Sequence, residues 1–452
     1  MLVTIDTLRA DHLGAYGHRP ATSPFIDGLA AESLLFERVD STAPSTAPSI
    51  ASLMTGAHRA THGVRGNGGT LPERVTTLAE ILRAHGFHTA ARIANPLLDV
   101  RVGFAQGFDD FAMPAGLSQL PPAVLDGAPV VADAQRLIAA AGDSRLFLWL
   151  HFFDPHGPYF PPETYRARFD RADYRWPGDR ELLLSEAHYG PFLVPRYQAI
   201  DHDASPASYR ARYDAEIRYA DDHVRAVVEA LRADDEFERT LFVLTADHGE
   251  SLGERDFYFQ HGFLAYDHTV HVPLLIRSPG LPRGHRIAQS VSLVDVAPTI
   301  LDLLGIEPGA EMEGRSLRGL FDGAGANRLA FAQSYFGTGS VLLRSGSLEY
   351  VFRPARSPSS PTPAPDELAI LPAEPQHELY DLATDPTESH NLASSRPGQL
   401  AALQQHLRTW LLDQHQRGER HLQPATEAGA PSEAPGLDPI VESQLRALGY
   451  LR

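Results

Sequence analysis

Three residues able to ligate a metal stand where apolar runs end. Asp6 follows Leu2–Ile5, and Asp247-His248 follows the run Thr240–Thr245 and one alanine. Parallel strands that finish on such residues gather them at one edge of a sheet, where α/β folds place their chemistry. Two carboxylates with an imidazole suit Mn²⁺, Zn²⁺ or Fe²⁺ better than a purely hard-ion cage does. Taken singly, each aspartate also reads as a helix N-cap. His261 lies 13 residues beyond His248, in Gln-His-Gly, and alone it also reads as a polar loop residue. A second chemically able stretch is Thr42-Ala-Pro-Ser45-Thr46-Ala-Pro-Ser49, just before an apparent helix. A hydroxyl at a helix start has unpaired backbone N–H groups beside it that can hold an anionic oxygen. Ser and Thr next to Pro are also ordinary helix caps. The chain has 0 cysteines, which excludes a cysteine nucleophile, thiolate-bound zinc, Fe–S clusters and disulfides.

The elements that must position these groups alternate between strand and helix. Strands are expected at Leu2–Ile5, Phe87–Ala91, Leu146–Phe153 and Thr240–Thr245. Helices are expected from Pro48–Met54, Thr76–Ala84, Val131–Ala141, Tyr209–Arg232 and Val294–Gly305. Leu146–Phe153 is apolar on both faces apart from His151, as a covered parallel strand should be. Val270–Ile276 reads as a strand near an edge or bend because Pro273 interrupts it. The pattern predicts an α/β fold with a mostly parallel central sheet flanked by helices. After about residue 325 the composition shifts. A hairpin is expected from Val341–Arg344 and Leu348–Phe352, a surface loop from Pro354–Pro375, and a helix from Leu400–Asp413. A polar mobile stretch over residues 414–437 and a final helix at Val441–Leu451 complete the expectation. Residues 1–325 thus read as a catalytic domain, and 326–452 as a small C-terminal α+β subdomain with antiparallel strands, a helix and a flexible tail.

The balance of charge narrows the partners. With 39 Lys+Arg against 57 Asp+Glu, the net charge of −18 repels nucleic acid, so no nucleic-acid partner is expected. At 43% apolar and 21% charged, 452 residues can fill a large core. No apolar run reaches the roughly 18 residues of a membrane span. The start lacks a secretory signal, so the chain as it stands reads as cytoplasmic, and as periplasmic or secreted if sequence lies upstream of its short first strand.

Several stretches together resemble the sulfatase family of the alkaline-phosphatase superfamily. They are Ile5-Asp6-Thr-Leu-Arg-Ala-Asp11-His-Leu-Gly, Ala47-Pro48-Ser49-Ile50-Ala-Ser-Leu-Met-Thr-Gly56, His62-Gly63-Val64 and Gly103-Phe with Gly107-Phe108-Asp109. Further matches are His151-Phe-Phe-Asp-Pro155-His156-Gly-Pro-Tyr159, Thr245-Ala-Asp247-His248-Gly249-Glu250, His261-Gly262, Val294-Asp-Val-Ala-Pro-Thr-Ile, Glu378-Leu-Tyr-Asp and Leu445-Arg-Ala-Leu-Gly449-Tyr. The resemblance implies a covalent ester intermediate and one or more divalent metal ions, whether Mn²⁺, Zn²⁺, Ca²⁺ or Mg²⁺. By position it implies Asp6, Asp247 and His248 as metal ligands and Thr46 as nucleophile. It places His156 and His261 against the ester oxygens or the leaving group, with Asn67 and Arg65 nearby as substrate contacts. The implied substrate is a small-molecule, lipid or glycan phosphate or sulfate ester.

Departures from the family pattern bear on the reaction. Sulfatases carry Cys or Ser, matured to formylglycine, in the form Cys/Ser-x-Pro-x-Arg. Here those positions hold Thr46 and Ile50, and the second strand-end aspartate is Thr7. The set resembles the phosphotransfer branches that use an unmodified threonine. A formylglycine hydrate expels sulfate by elimination, a route closed to an alkyl sulfate on threonine. A phosphothreonine can be cleaved at phosphorus. The sequence therefore points to a phosphate or phosphonate ester hydrolase. A transferase to an alcohol acceptor, a sulfuric ester hydrolase and a non-catalytic anion binder are the alternatives. Peptide mass spectrometry over residues 39–59 should show plain threonine at 46. An aldehyde-bearing residue there, or at Ser45, would restore the sulfatase chemistry.

Overall fold

The computed structural model describes residues 1–114, 125–184, 190–200, 202–334, 339–354, 372 and 374–422. The expected loop 354–375 falls mostly outside these residues. So do the expected final helix at Val441–Leu451, the motif at its end, and the stretch from 423 to 437.

Eight strands form the central sheet: β1 Leu2–Ile5, β2 Leu34–Asp40, β3 His88–Ile93, β4 Asp110–Ala112, β5 Leu146–Phe152, β6 Phe242–Ala246, β7 Leu274–Arg277 and β8 His285–Ser292. Their order is β8-β2-β7-β6-β1-β5-β3-β4. All neighbouring pairs are parallel except those made by β7, which runs antiparallel between β2 and β6. β1 lies at the centre, and its residues are buried throughout. Its register pairs Ile5 with Ala246 on one side and with Phe152 on the other. Asp6 and Asp247 therefore leave neighbouring strands at the same level.

Helices cover the sheet for reasons visible in their spacing. The longest in this layer, Pro206–Ala233, buries Tyr209, Tyr213, Ile217, Ala220, Val224, Val227 and Leu231, a stripe recurring every three or four residues. Leu78–Ala84 starts on a capping box, with Thr77 N–H donating to Glu80 at 2.8 Å and Glu80 N–H donating to Thr77 Oγ1 at 3.2 Å. The helix expected from Pro48 begins two residues earlier and spans Thr46–Thr55, buried along its whole length.

β7 corrects the reading of Val270–Ile276. The strand is interior, and Val270 belongs to a helical turn, Asp267–Val270. Pro273 precedes the first paired residue, so its missing N–H removes nothing from the ladder. The polar stretch from 414 is likewise helical to 422, as part of Pro397–Leu422.

Toward the C-terminus a four-stranded antiparallel sheet joins Leu329–Gln333, Val341–Ser345, Leu348–Arg353 and Gln376–Asp381 in chain order. Alternate residues face opposite ways, as the pleat requires. Leu343, Tyr350 and Leu379 pack on Leu403 and Leu407 of the last helix. Leu342, Val351 and Tyr380 pack on Phe263 and Tyr266 of the preceding layer. Arg344 ties the two sheets together. Its guanidinium is 1% exposed and reaches Asp40, at the end of β2, at 2.7 and 2.9 Å. It also reaches Asp267 at 2.7 Å and Glu349 at 2.8 Å. Removing the cation would leave a cluster of buried carboxylates facing one another. Arg344→Met should therefore cost about 3–5 kcal/mol, read as a lower midpoint in chemical denaturation.

Candidate active site

The C-terminal edge of the central strands carries a dense polar cluster. Asp6 and Asp247 follow β1 and β6 and are fully buried, as is His248. Asp247 Oδ1 accepts the backbone N–H of Thr7 at 3.1 Å and of His248 at 2.8 Å, which turns Oδ2 inward. Asp6 Oδ2 accepts from Asn95 at 2.5 Å, and His151 Nε2 stands 3.5 Å from it. The remaining atoms, Asp6 Oδ1 and Asp247 Oδ2, are buried without any hydrogen-bond partner. His248 Nδ1–H donates to the carbonyl of Gly249 at 2.8 Å, leaving the Nε2 lone pair for the cluster. That nitrogen is 3.7 Å from Asp6 Oδ1 and 3.6 Å from Asp247 Oδ2.

These spacings suit a shared cation. Each is too long for a hydrogen bond and fits donors standing about 2.1 Å from one ion. Two orphaned carboxylate oxygens and an imidazole nitrogen also form the mixed donor set of a transition-type divalent ion. Burial, with the charge of Asp6 beside it, pushes the Asp247 carboxyl up to about 7. Burial acts on Asp6 in the same sense, but His156, His151 and His248 hold it well below the usual carboxylate range. One carboxylate thus stays charged at its neighbour's expense, the conflict that a bound cation resolves.

Thr46 opens its helix against this cluster, with Oγ1 3.3 Å from His248 Nε2. Ser49, one turn on, donates to the carbonyl of Asp247 at 2.6 Å and fixes the helix start to the strand end. Of the backbone amides at this helix start, three cannot turn to an ester as they stand. Ala47 N–H donates to Asn67 Oδ1 at 3.0 Å, Pro48 has no N–H, and Ser49 N–H closes onto the carbonyl of Ser45 at 3.2 Å. A side-chain donor stands beside them: Asn67 Nδ2, buried and without a partner. Two further buried hydroxyls, Thr7 Oγ1 and Ser45 Oγ, also lack partners. Thr7 holds φ at +53°, a strained value for a β-branched residue, and so turns its N–H toward Asp247.

His261 packs over the cluster, its ring 4.4 Å from His248 and 5.1 Å from His156. Its Nδ1 lies 3.1 Å from Glu250 Oε1, and Tyr159 donates to Glu250 Oε2 at 3.1 Å. Burial pulls His261 down to about 4 and pushes Glu250 up to about 7. Gly249 lets this loop pass close under its neighbour. A Cβ there would meet the His268 carbonyl oxygen at 2.3 Å. Asp6, Thr46, His156, Asp247, His248 and His261 thus converge, with Asn67 at the helix start. Arg65 does not join them; it is exposed and lines a crevice with Pro48, His58, Arg59 and Trp410. Sequence reasoning assigned no role to Asn95, although it lies just past the end of β3 beside a proline. It matched Glu250 without recognising it as the support of His261.

The family model for sulfatases matches residues 1–306, and the chain belongs to the sulfatase family. Mouse arylsulfatase K is 31% identical over 213 residues, spanning 44% of this chain but only 35% of that protein. The choline-sulfatase of Rhizobium meliloti is 24% identical and is aligned over 83% of this chain and 78% of its own length. The fold matches that of a phosphonate monoester hydrolase from Silicibacter pomeroyi with a TM-score of 0.71 and 22% identity, covering 96% of this chain and 99% of that one. The chain is an enzyme of this superfamily with residue clusters able to hold a divalent ion.

Asp247→Asn should abolish tight binding of Mn²⁺ or Zn²⁺ at this cluster, seen as loss of the strongest isotherm in calorimetry on chelator-stripped protein. Thr46→Ala should leave that isotherm largely intact.

Proposed function

We propose that this enzyme hydrolyses phosphate or phosphonate esters through a covalent intermediate on Thr46. The observation that carries the reading is the Thr46 hydroxyl, buried 3.3 Å from the inward nitrogen of His248 and beside two unpartnered carboxylate oxygens. A divalent ion held by Asp6, Asp247 and His248 would lower the pKa of a nearby hydroxyl and screen the ester oxygens. Thr46 Oγ1 attacks phosphorus in line with the leaving oxygen. Its proton passes to His261, which enters the cycle as the neutral imidazole because burial lowers its pKa to about 4. As the bond to the leaving oxygen breaks, His261 delivers that proton to it, with Glu250 steadying the imidazolium. Asn67 Nδ2 donates to a non-bridging oxygen, and His156 lies on the leaving-group side. Water then attacks phosphorus, gives its proton to His261, and Thr46 recovers it as its bond to phosphorus breaks. An alcohol in place of water would make the same cycle a transfer.

A sulfate ester is the second reading, favoured by the names of arylsulfatase K and choline-sulfatase. Against it stands the exit step, since a sulfated threonine has no elimination route. Ile50, fully buried and apolar, also offers no charge where the family pattern has arginine.

The deciding measurement is kcat/KM on matched nitrophenyl phosphodiester, phosphonate and sulfate. Phosphorus esters should lead by orders of magnitude, and Thr46→Ala should lose roughly 10³-fold or more, on the scale of a deleted nucleophile. His261→Ala should hurt alkyl leaving groups by about 10²–10⁴ and nitrophenolate far less, because only the former need a proton. A preference for sulfate, or wild-type activity in Thr46→Ala, would overturn the proposal.

A further inference from the structure

A second cluster lies beyond His156, where the segment after β5 meets the helix Pro206–Ala233. His223 projects from that helix, and its ring is held between Phe152, stacked at 5.7 Å, and Tyr219 at 4.2 Å. Its Nε2 is buried and makes no hydrogen bond. It faces Asp126 Oδ1 at 3.6 Å and Asp154 Oδ2 at 3.8 Å, and the three atoms lie within 4.8 Å of one another. Both oxygens are already oriented by other donors. Tyr219 and the Ala128 N–H donate to Asp126 Oδ1 at 2.9 and 2.7 Å, and Gly127 N–H donates to Asp154 Oδ2 at 3.1 Å. Gly127 is constrained to have no side chain, because a Cβ would sit 2.6 Å from the His223 ring. Beside the trio, Glu216 is buried and hydrogen-bonded to Asp154. A cavity of about 360 Å³ opens here, lined by Asp126, Asp154, Glu216, Tyr219 and also His156.

Another histidine–aspartate group shows what a satisfied arrangement looks like. His12 and His18 touch Asp214 at 2.6 and 2.7 Å, and Tyr174 donates to the same carboxylate at 2.7 Å. Those groups complete one another by hydrogen bonds and leave no gap. The trio at His223 stands a full ångström further apart, with Nε2 aimed between two carboxyl groups. A point about 2.1 Å from each atom matches Zn²⁺ or Mn²⁺ distances, and the buried nitrogen has nothing else to bond.

We propose that Asp126, Asp154 and His223 form a second divalent-cation site, separate from Asp6, Asp247 and His248, taking Zn²⁺ or Mn²⁺ with its open side toward the cavity that His156 borders. The test strips the full chain with chelator and titrates it with Zn²⁺ and with Mn²⁺, reading stoichiometry by calorimetry and elemental analysis. Wild type should take two equivalents and Asp247→Asn one. Asp247→Asn combined with His223→Gln should take none. Asp126 is partly exposed, so Asp126→Asn should fold normally, and it should weaken the second isotherm by about tenfold or more. Crystals of the wild-type protein soaked in Zn²⁺ should give an anomalous peak next to His223 Nε2. The proposal is overturned if no peak appears there, if Asp247→Asn binds no ion while keeping its fold, or if His223→Gln and Asp126→Asn bind as wild type does. Binding of an alkylammonium ion at the trio with no response to either metal would overturn it as well.

Discussion

Two carboxylates buried side by side are the constraint on which the rest of this molecule turns. β1 and β6 pair in parallel with Ile5 opposite Ala246, so the next residue of each strand, Asp6 and Asp247, must emerge together in a region closed to water. Like charges so placed cannot both stay ionised without a counter-charge. The surroundings answer with three imidazoles, the amide of Asn95 and two backbone N–H groups, yet one oxygen of each carboxylate remains unanswered. The helix carrying Thr46, the strained turn at Thr7 and the loop through Gly249 all pack around these two oxygens.

Support for the cluster comes from remote parts of the chain. Tyr213, on the helix Pro206–Ala233, donates to the carbonyl of Thr7 at 2.6 Å and accepts the N–H of Arg9 at 3.1 Å. Arg9 in turn holds the carbonyl of Glu250 at 3.0 Å and the Glu254 side chain at 2.7 Å. The turn after β1 is thereby fastened to the loop after β6. The far end of the Thr46 helix is fixed by other means. Gly56 O accepts N–H groups of Glu313 and Gly314, and the Glu313 carboxylate binds Thr61 and Gln414. The helix Pro397–Leu422 thus reaches the helix that Thr46 opens.

Much of the fold and part of the site could be read from the residues because their signals were local. Apolar runs ending on Asp6 and Asp247 announce strand ends, and the three-to-four-residue stripe from Tyr209 to Leu231 announces a covered helix. Other features depend on neighbours that no local window contains. Pro273 suggested an edge, but only the pairing shows that it stands just outside an interior antiparallel strand. The hydroxyl-rich helix start suggested backbone anion donors, but Asn67, 20 residues on from Ala47, occupies one of those amides. The leucines of Leu34–Asp40 alternate with nothing consistent, so this strand escaped notice. The trio at Asp126, Asp154 and His223 shares no motif and exists only once the helix crosses β5.

The central position of β1 has a consequence for how the chain is made. Leu2–Ile5 is synthesised well before its partners, Trp149–Phe152 and Val243–Ala246. A strand whose every residue ends up buried must wait, apolar and unpaired, until both partner strands have been synthesised. Contacts so distant in sequence are slow to form and exposed to aggregation meanwhile. The acidic pair cannot meet before β6 arrives, so nascent chains carry no assembled centre until the sheet closes around β1.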